Sequence, residues 1–243
     1  MNKVTTVLTV TDRIEYLKTQ IKAIENQTID SDIIIHWNSD EEYTLNYPAI
    51  IYRNQHKSAP LYNRFFSSVN ITTPYIFICD DDILPGKRYL ERCIEFSEKQ
   101  PSDVCIVNYG MIFTEETNQY DVAKRIHHNM FLNKPKLVHM GGQGYFFKTN
   151  LLRSFCEYET YDSMWGEDIH LGYVCWENGI RTYVLDSDEN DTSTWQDLTL
   201  GSRGMDNSAQ WRYPTHRPVR NKLMEKYTKL GWAFNFASPS YNI

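Results

Sequence analysis

Short β-branched and apolar runs alternate with stretches of helical spacing along this chain, and that alternation restricts it to an α/β layer architecture. Val4–Val10 reads as a buried strand, and 13–25 places Ile14, Leu17, Ile21 and Ile24 on one helical face. Strands follow at 32–37 and 49–53, a helix at 60–69 and a fourth strand at Tyr75–Cys79. A helix over 86–99 and a strand over 103–108 come next, whereas 111–132 is polar and irregular. In 138–148, Gly141, Gly142 and Gly144 precede Tyr145-Phe146-Phe147, which predicts a tight turn into a strand. Helical spacing returns at 165–178, closed by Gly179, then a strand at 181–185 and a helix at 217–230. No repeat or linker divides the 243 residues, so a single domain is expected.

The fourth strand stops abruptly in Asp80-Asp81-Asp82, within CDDDILPG. Ligands bind open α/β sheets at the carboxyl ends of their strands, so the three acids stand where a ligand is expected. Adjacent carboxylates repel unless something neutralises them. A hard divalent ion, Mn2+ or Mg2+, would do so and keep positions free for phosphate oxygens. If strand geometry persists, Asp80 and Asp82 point to one side and Asp81 to the other. A turn with a helix cap explains one aspartate but not three. An EF-hand loop does not fit, because Leu84 takes a ligand position and Pro85 replaces the required glycine.

A second acidic pair, Glu167 and Asp168, opens the predicted helix after Trp165 and Gly166. The helix dipole alone accounts for acids there. The functional reading is a carboxylate placed to take a proton from an attacking hydroxyl, with Trp165 offering an apolar face to a sugar. Gly142 and its neighbouring glycines allow a donor or acceptor sugar to approach the backbone.

The formal net charge of −6, without a basic run, disfavours nucleic acid as a partner. The five cysteines show no zinc spacing and read as buried free thiols. No apolar run approaches a membrane span, so a cytoplasmic setting is expected.

These blocks resemble the nucleotide-sugar transferases of the GT-A fold, most closely the exostosin-like hexosaminyltransferase group. The large inverting transferase family with a similar Glu-Asp motif is second. VLTVTDRIEYLKTQI resembles the first strand and helix, IIIHWNS the second strand, and NRF at Asn63, Arg64 and Phe65 the donor-binding turn. CDDDILPG resembles the metal-binding DxD segment, and WGEDIHLGYVCWENGIRTYVL the acidic catalytic segment. The implied fold is a Rossmann-like, mixed but mostly parallel sheet flanked by helices, with a nucleotide-binding half (1–108) and an acceptor-binding half (109–243). The resemblance puts Thr9 and Arg13 beside the nucleotide base and diphosphate, and Asn38 beside the uracil or ribose. Asn63 and Arg64 would lie near the donor. Asp80 would contact the ribose, or the metal through water, and Asp82 would coordinate the metal directly. Asp168 would lie nearest the reaction centre with Glu167 beside it. Asp12 departs from the asparagine common in the first loop. The missing anchor favours a bacterial or viral enzyme over a Golgi luminal one.

Two readings stay open for YPTHRPVRNK. His216 is a third metal ligand and Arg217 and Arg220 are diphosphate cations, or all three belong to a solvated helix start. The loop 192–206, with Trp195 and Arg203, is either a lid over the donor or plain surface.

The chain is therefore expected to move a sugar from a nucleotide-diphosphate donor, a UDP-sugar, to a hydroxyl of a glycan or glycoprotein. The Gly-Glu-Asp pattern leans toward inversion, while the exostosin-like resemblance implies retention. A nucleotidyltransferase is the rival enzyme, although the stretch 10–13 lacks the glycine-rich loop it would need. A non-catalytic nucleotide-sugar-binding protein of the same fold is the other alternative.

Overall fold

The computed structural model describes residues 2–11, 13–40, 44–53, 60–116, 119–127, 130–158, 165–188, 191–194 and 212–236. Strands β1 (Val4–Val10), β2 (Ser31–Trp37), β3 (Ile50–Arg53) and β4 (Tyr75–Cys79) run parallel in the order β3-β2-β1-β4. β8 (Met140–Lys148) continues the sheet antiparallel to β4. Then come β5 (Val104–Ile112), β9 (Arg181–Val184) and β7 (Lys136–Val138), while β6 (Lys124–His127) pairs with β5 off this path.

Helices cover both faces, which is why all seven residues of β1 and all five of β4 are buried. Side-chain alternation sorts the core into two layers. Leu8, Phe77 and Cys79 pack with Leu17, Ile21 and Ile24 of α1 (Ile14–Glu25) and Cys93 and Ile94 of α3 (Tyr89–Glu98). On the other face, Val7, Ile76 and Ile78 share a cluster with residues of α2 (Pro60–Phe66), α4 (Leu151–Glu157), α5 (Glu167–Glu177) and α6 (His216–Lys229). This is the α/β layering that the strand-helix alternation predicts, in the mixed, helix-flanked sheet that the resemblance implies.

Two local expectations are corrected. The glycines of 141–144 lie inside β8 rather than in a turn before it. β8 pairs antiparallel with β5, and near the register shift between them a Cβ on Gly141 would come within 2.2 Å of the Tyr109 carbonyl oxygen. The polar stretch 111–132 also holds more structure than its composition suggests: the end of β5, a 3-10 turn at Tyr120–Val122, and β6. The turn is held by α6, because the Tyr120 N–H donates to Asn221 Oδ1 at 3.0 Å.

The parallel run ends at β4, whose far neighbour β8 has the opposite direction. The acids after Cys79 thus fall at the seam between the two halves of the sheet. All five cysteines are free, and Cys156 is half-buried. No helix among the described residues is long and apolar enough to cross a membrane.

Candidate active site

Strand geometry ends at Cys79, and Asp80, Asp81 and Asp82 fold into a turn closed by the Ile83 N–H on the Asp80 carbonyl at 3.3 Å. The alternation expected of the acids therefore does not apply. Each goes its own way. Asp80 pairs with Arg64, Asp81 with Arg13 at 2.5 Å, and Asp82 keeps a buried Oδ1 without a hydrogen-bond partner. Burial first, and then repulsion from Asp80 and Asp81, pushes the Asp82 carboxyl up to about 8. The turn is fixed from below by Gln20 of α1, whose Nε2 donates to the carbonyls of Asp80 at 2.7 Å and Ile83 at 2.8 Å. Gln27 repeats the device one turn on, donating to Gly86 and accepting from the Leu90 N–H.

Arg64 extends from α2 into the interior and links the two acidic motifs. Its Nη1 holds Asp80 and lies 3.3 Å from Thr9 Oγ1, while its Nη2 donates to Glu167 Oε1 at 3.0 Å. The side chain is 1% exposed, so its charge is spent on protein carboxylates. The resemblance places Arg64 near the donor. Here it ties the end of β4 to the start of α5. Burial, followed by repulsion from Asp168, raises Glu167 to about 7.

Glu167 and Asp168 open α5 behind Gly166, which sits at φ 107° in the left-handed region. A Cβ there would meet Leu223 of α6 at 2.1 Å, so the close approach that this glycine allows is to a neighbouring helix. Asp168 Oδ2 takes an ion pair from Arg220 of α6, and Oδ1 accepts the Ile169 N–H at 2.8 Å. The Arg220 guanidinium also lies over the Tyr120 ring, 4.2 Å from its centre. It is buried as the partner of Asp168, so a solvated helix start is not its setting. Arg217 lies on the surface, 3.5 Å from Asp121. β8 runs beside Asp168, since a Cβ on Gly142 would stand 3.9 Å from its Oδ2.

His216 packs near Trp165 and Tyr120, with ring centres 5.9 and 6.0 Å away. Burial and then the Arg220 charge lower it to about 4, so the ring is neutral. It lies with the Asp168 group. Among the described residues no three His, Cys, Asp or Glu side chains converge to hold a metal, so the set Asp80, Asp82 and His216 is not assembled. Asn38 is buried just after β2, where its N–H bonds the Val10 carbonyl at 2.8 Å. Asn63 sits on α2 one residue before Arg64. The start of the 192–206 loop is anchored beside the acids: the carbonyls of Thr194 and Ser193 accept from the N–H groups of Gly86 and Arg88. Trp195, Arg203 and Asp12 lie outside the described residues.

Residues 4–230 match the glycosyl transferase family 64 domain. The chain belongs to that family. None of the curated proteins matches it. Among solved structures, residues 1–349 of S. aureus TarS are similar, with a TM-score of 0.57 and 13% identity over 76% of this chain. A longer S. aureus TarS structure has a TM-score of 0.58 at 10% identity over 95% of this chain. At these identities the likeness speaks to fold alone. The family 64 chain spans 58% of the first structure's length and 44% of the second's.

Arg64, Asp80, Glu167 and Asp168 of the family 64 chain, all singled out by sequence, stand in one connected group. Sequence reading missed Gln20 and Gln27, although an amide on the apolar side of a helix and another just past its end are a usable signal for buried polar contacts. It also missed Tyr145, whose hydroxyl lies 3.4 Å from Arg64 Nη2, and Tyr120.

Proposed function

We propose that this chain transfers a sugar from a nucleotide-diphosphate donor, a UDP-sugar, to a hydroxyl of a glycan or glycoprotein acceptor. The observation that carries the reading is Asp82. Of the five acids in the cleft, Asp82 is the one with a buried carboxylate oxygen that has no partner, and burying such an oxygen is costly. A divalent cation, Mn2+ or Mg2+, supplies the missing partner and fits this donor set. Asp82 would hold it, with Asp80 nearby, and diphosphate and water oxygens would complete its shell. When bound, the ion offers Lewis-acid stabilisation to the charge that grows on the leaving diphosphate. Arg13, already beside Asp81, adds fixed positive charge at the same end of the cleft.

At the other end, Arg220 and the Ile169 N–H fix Asp168 in one orientation beside Gly142. Asp168 acts there on the reacting centre, and Arg220 is its positioning residue. Both of its carboxylate oxygens are already engaged, Oδ2 by Arg220 and Oδ1 by the Ile169 N–H, which leaves it a fixed, well-placed negative charge. That favours its steadying a cationic sugar centre, and hence retention, over the inversion suggested by the Gly-Glu-Asp pattern.

The test is a transfer assay with Mn2+, a panel of UDP-sugars and oligosaccharide acceptors. The expected result is UDP release that depends on the sugar and rises with acceptor, and the anomeric configuration of the product reports the stereochemistry. Release of pyrophosphate from a nucleoside triphosphate would favour the nucleotidyltransferase reading instead. Binding of UDP-sugar without turnover would favour the non-catalytic one.

A further inference from the structure

Gln143 carries a backbone conformation that its own side chain disfavours. Among the described residues only Phe131 and Gln143 combine a non-glycine side chain with positive φ, and Gln143 sits at 71°. It lies in β8 where the register against β5 shifts between Val107 and Tyr109, and bulges of this kind re-aim a side chain. Its neighbours Gly142 and Gly144 are both glycines, and glycine would occupy position 143 without strain. The backbone alone gives no reason for a glutamine.

The position is central to the cleft. The Gln143 carbonyl accepts the Asp80 N–H at 2.9 Å, directly after the β4–β8 pair of Cys79 and Gly144. One residue back, Gly142 faces Asp168. Gln143 thus lies between the acids of the diphosphate end and the acid of the reaction centre, where a transferred sugar must span. Its Oε1 is buried and has no hydrogen-bond partner. An amide oxygen needs a donor. A diphosphate offers only acceptors, whereas sugar hydroxyls donate as well as accept.

We propose that the Gln143 amide hydrogen-bonds a hydroxyl of the transferred sugar and selects between donors that differ there. This rests on the donor reading above. The experiment compares the protein with its Gln143→Gly and Gln143→Ala variants, in Mn2+, by calorimetry with UDP, UDP-glucose, UDP-galactose and their N-acetylhexosamine counterparts. The intact protein is expected to bind one sugar nucleotide best. Both variants are expected to lose that preference by tenfold or more while binding UDP as before, because a site built to bond a hydroxyl discriminates through that bond. Gln143→Gly should also melt no lower than the parent, so lost selectivity cannot be put down to poor folding. Variants that keep the parental ratio of affinities among the sugars overturn the inference and leave the donor reading standing. A parent protein that binds neither UDP nor any UDP-sugar overturns both.

Discussion

Arg220 reaches from α6 to the carboxylate of Asp168 at the first turn of α5, and both side chains are buried. Removing one partner of a buried pair leaves an uncompensated charge. Arg220→Met should therefore cost about 3–5 kcal/mol and lower the melting temperature, and adding Asp168→Asn to it should recover part of the loss. Asp168→Asn alone should keep nucleotide binding and lose transfer by about 10²- to 10³-fold, the scale of removing one group that stabilises transition-state charge. Thermal denaturation and initial rates check both. An Arg220→Met protein that melts with the parent would show that the pair contributes nothing.

Arg64 serves two carboxylates at once, Asp80 and Glu167. A lysine has a single ammonium on a flexible stem and cannot fork to both. Arg64→Lys is expected to destabilise the fold by roughly 2–4 kcal/mol in a urea titration, with the midpoint shifted and the slope unchanged. Parental stability in this variant would mean the bridge is incidental.

Neighbouring glycines of β8 should behave differently. Gly141→Ala drives a methyl into the Tyr109 carbonyl and the Val107 side chain, at 2.2 and 2.3 Å, so the variant should melt well below the parent. At Gly142 the nearest atoms are Tyr145 Oη at 3.5 Å and Asp168 Oδ2 at 3.9 Å, which is ordinary contact. Gly142→Ala should fold normally and bind UDP, but transfer about tenfold more slowly, since one methyl then stands in the space beside Asp168. Full activity in that variant would take Gly142 out of the sugar's path.

The parallel half of the fold was legible because β1 and β4 are buried on both faces. Such strands read as continuous apolar runs that end where the chemistry begins. The acids were legible for the same reason: three carboxylates after YIFIC have no packing explanation. What sequence could not carry was pairing. Whether Arg64 and Arg220 serve phosphate or protein depends on contacts across 103 and 52 residues of chain. The glycines of 141–144 misled because glycine marks turns locally, while here Gly141 answers to the close backbone approach of a paired strand at a bulge. Gln20 was hidden by its place among Leu17, Ile21 and Ile24, where a helix face reads as core.

Two histidines outside the cleft set an acid limit. Burial holds His139 near about 3 and His170 near about 4, below the usual 6.5. The folded state keeps both rings neutral, while the unfolded chain binds protons below about pH 6.5. Their contribution to stability is complete above that value and is lost as pH falls toward 4, by up to about 1.4 kcal/mol per histidine per pH unit. His36 and His216, each lowered to about 4, add to this loss, while Glu167 and Asp82, raised to about 7 and about 8, oppose it with a proton each bound in the folded state. Four histidines outweigh two carboxyls, so these groups together lower stability between pH 6.5 and 4.5. Ring NMR at pH 5 should show His139 and His170 still neutral. Protonated rings in the folded protein at that pH would contradict the assignment.

The most direct test concerns Asp82, the acid of this site whose buried oxygen has no hydrogen-bond partner. Titration of UDP into the protein with and without Mn2+, repeated with Asp82→Asn, measures whether that carboxylate holds the cation that receives the diphosphate. The expected result is that Mn2+ strengthens UDP binding to the parent by at least tenfold and leaves the Asp82→Asn protein no tighter than the metal-free parent. An Asp82→Asn protein that gains as much from Mn2+ as the parent does would contradict the account.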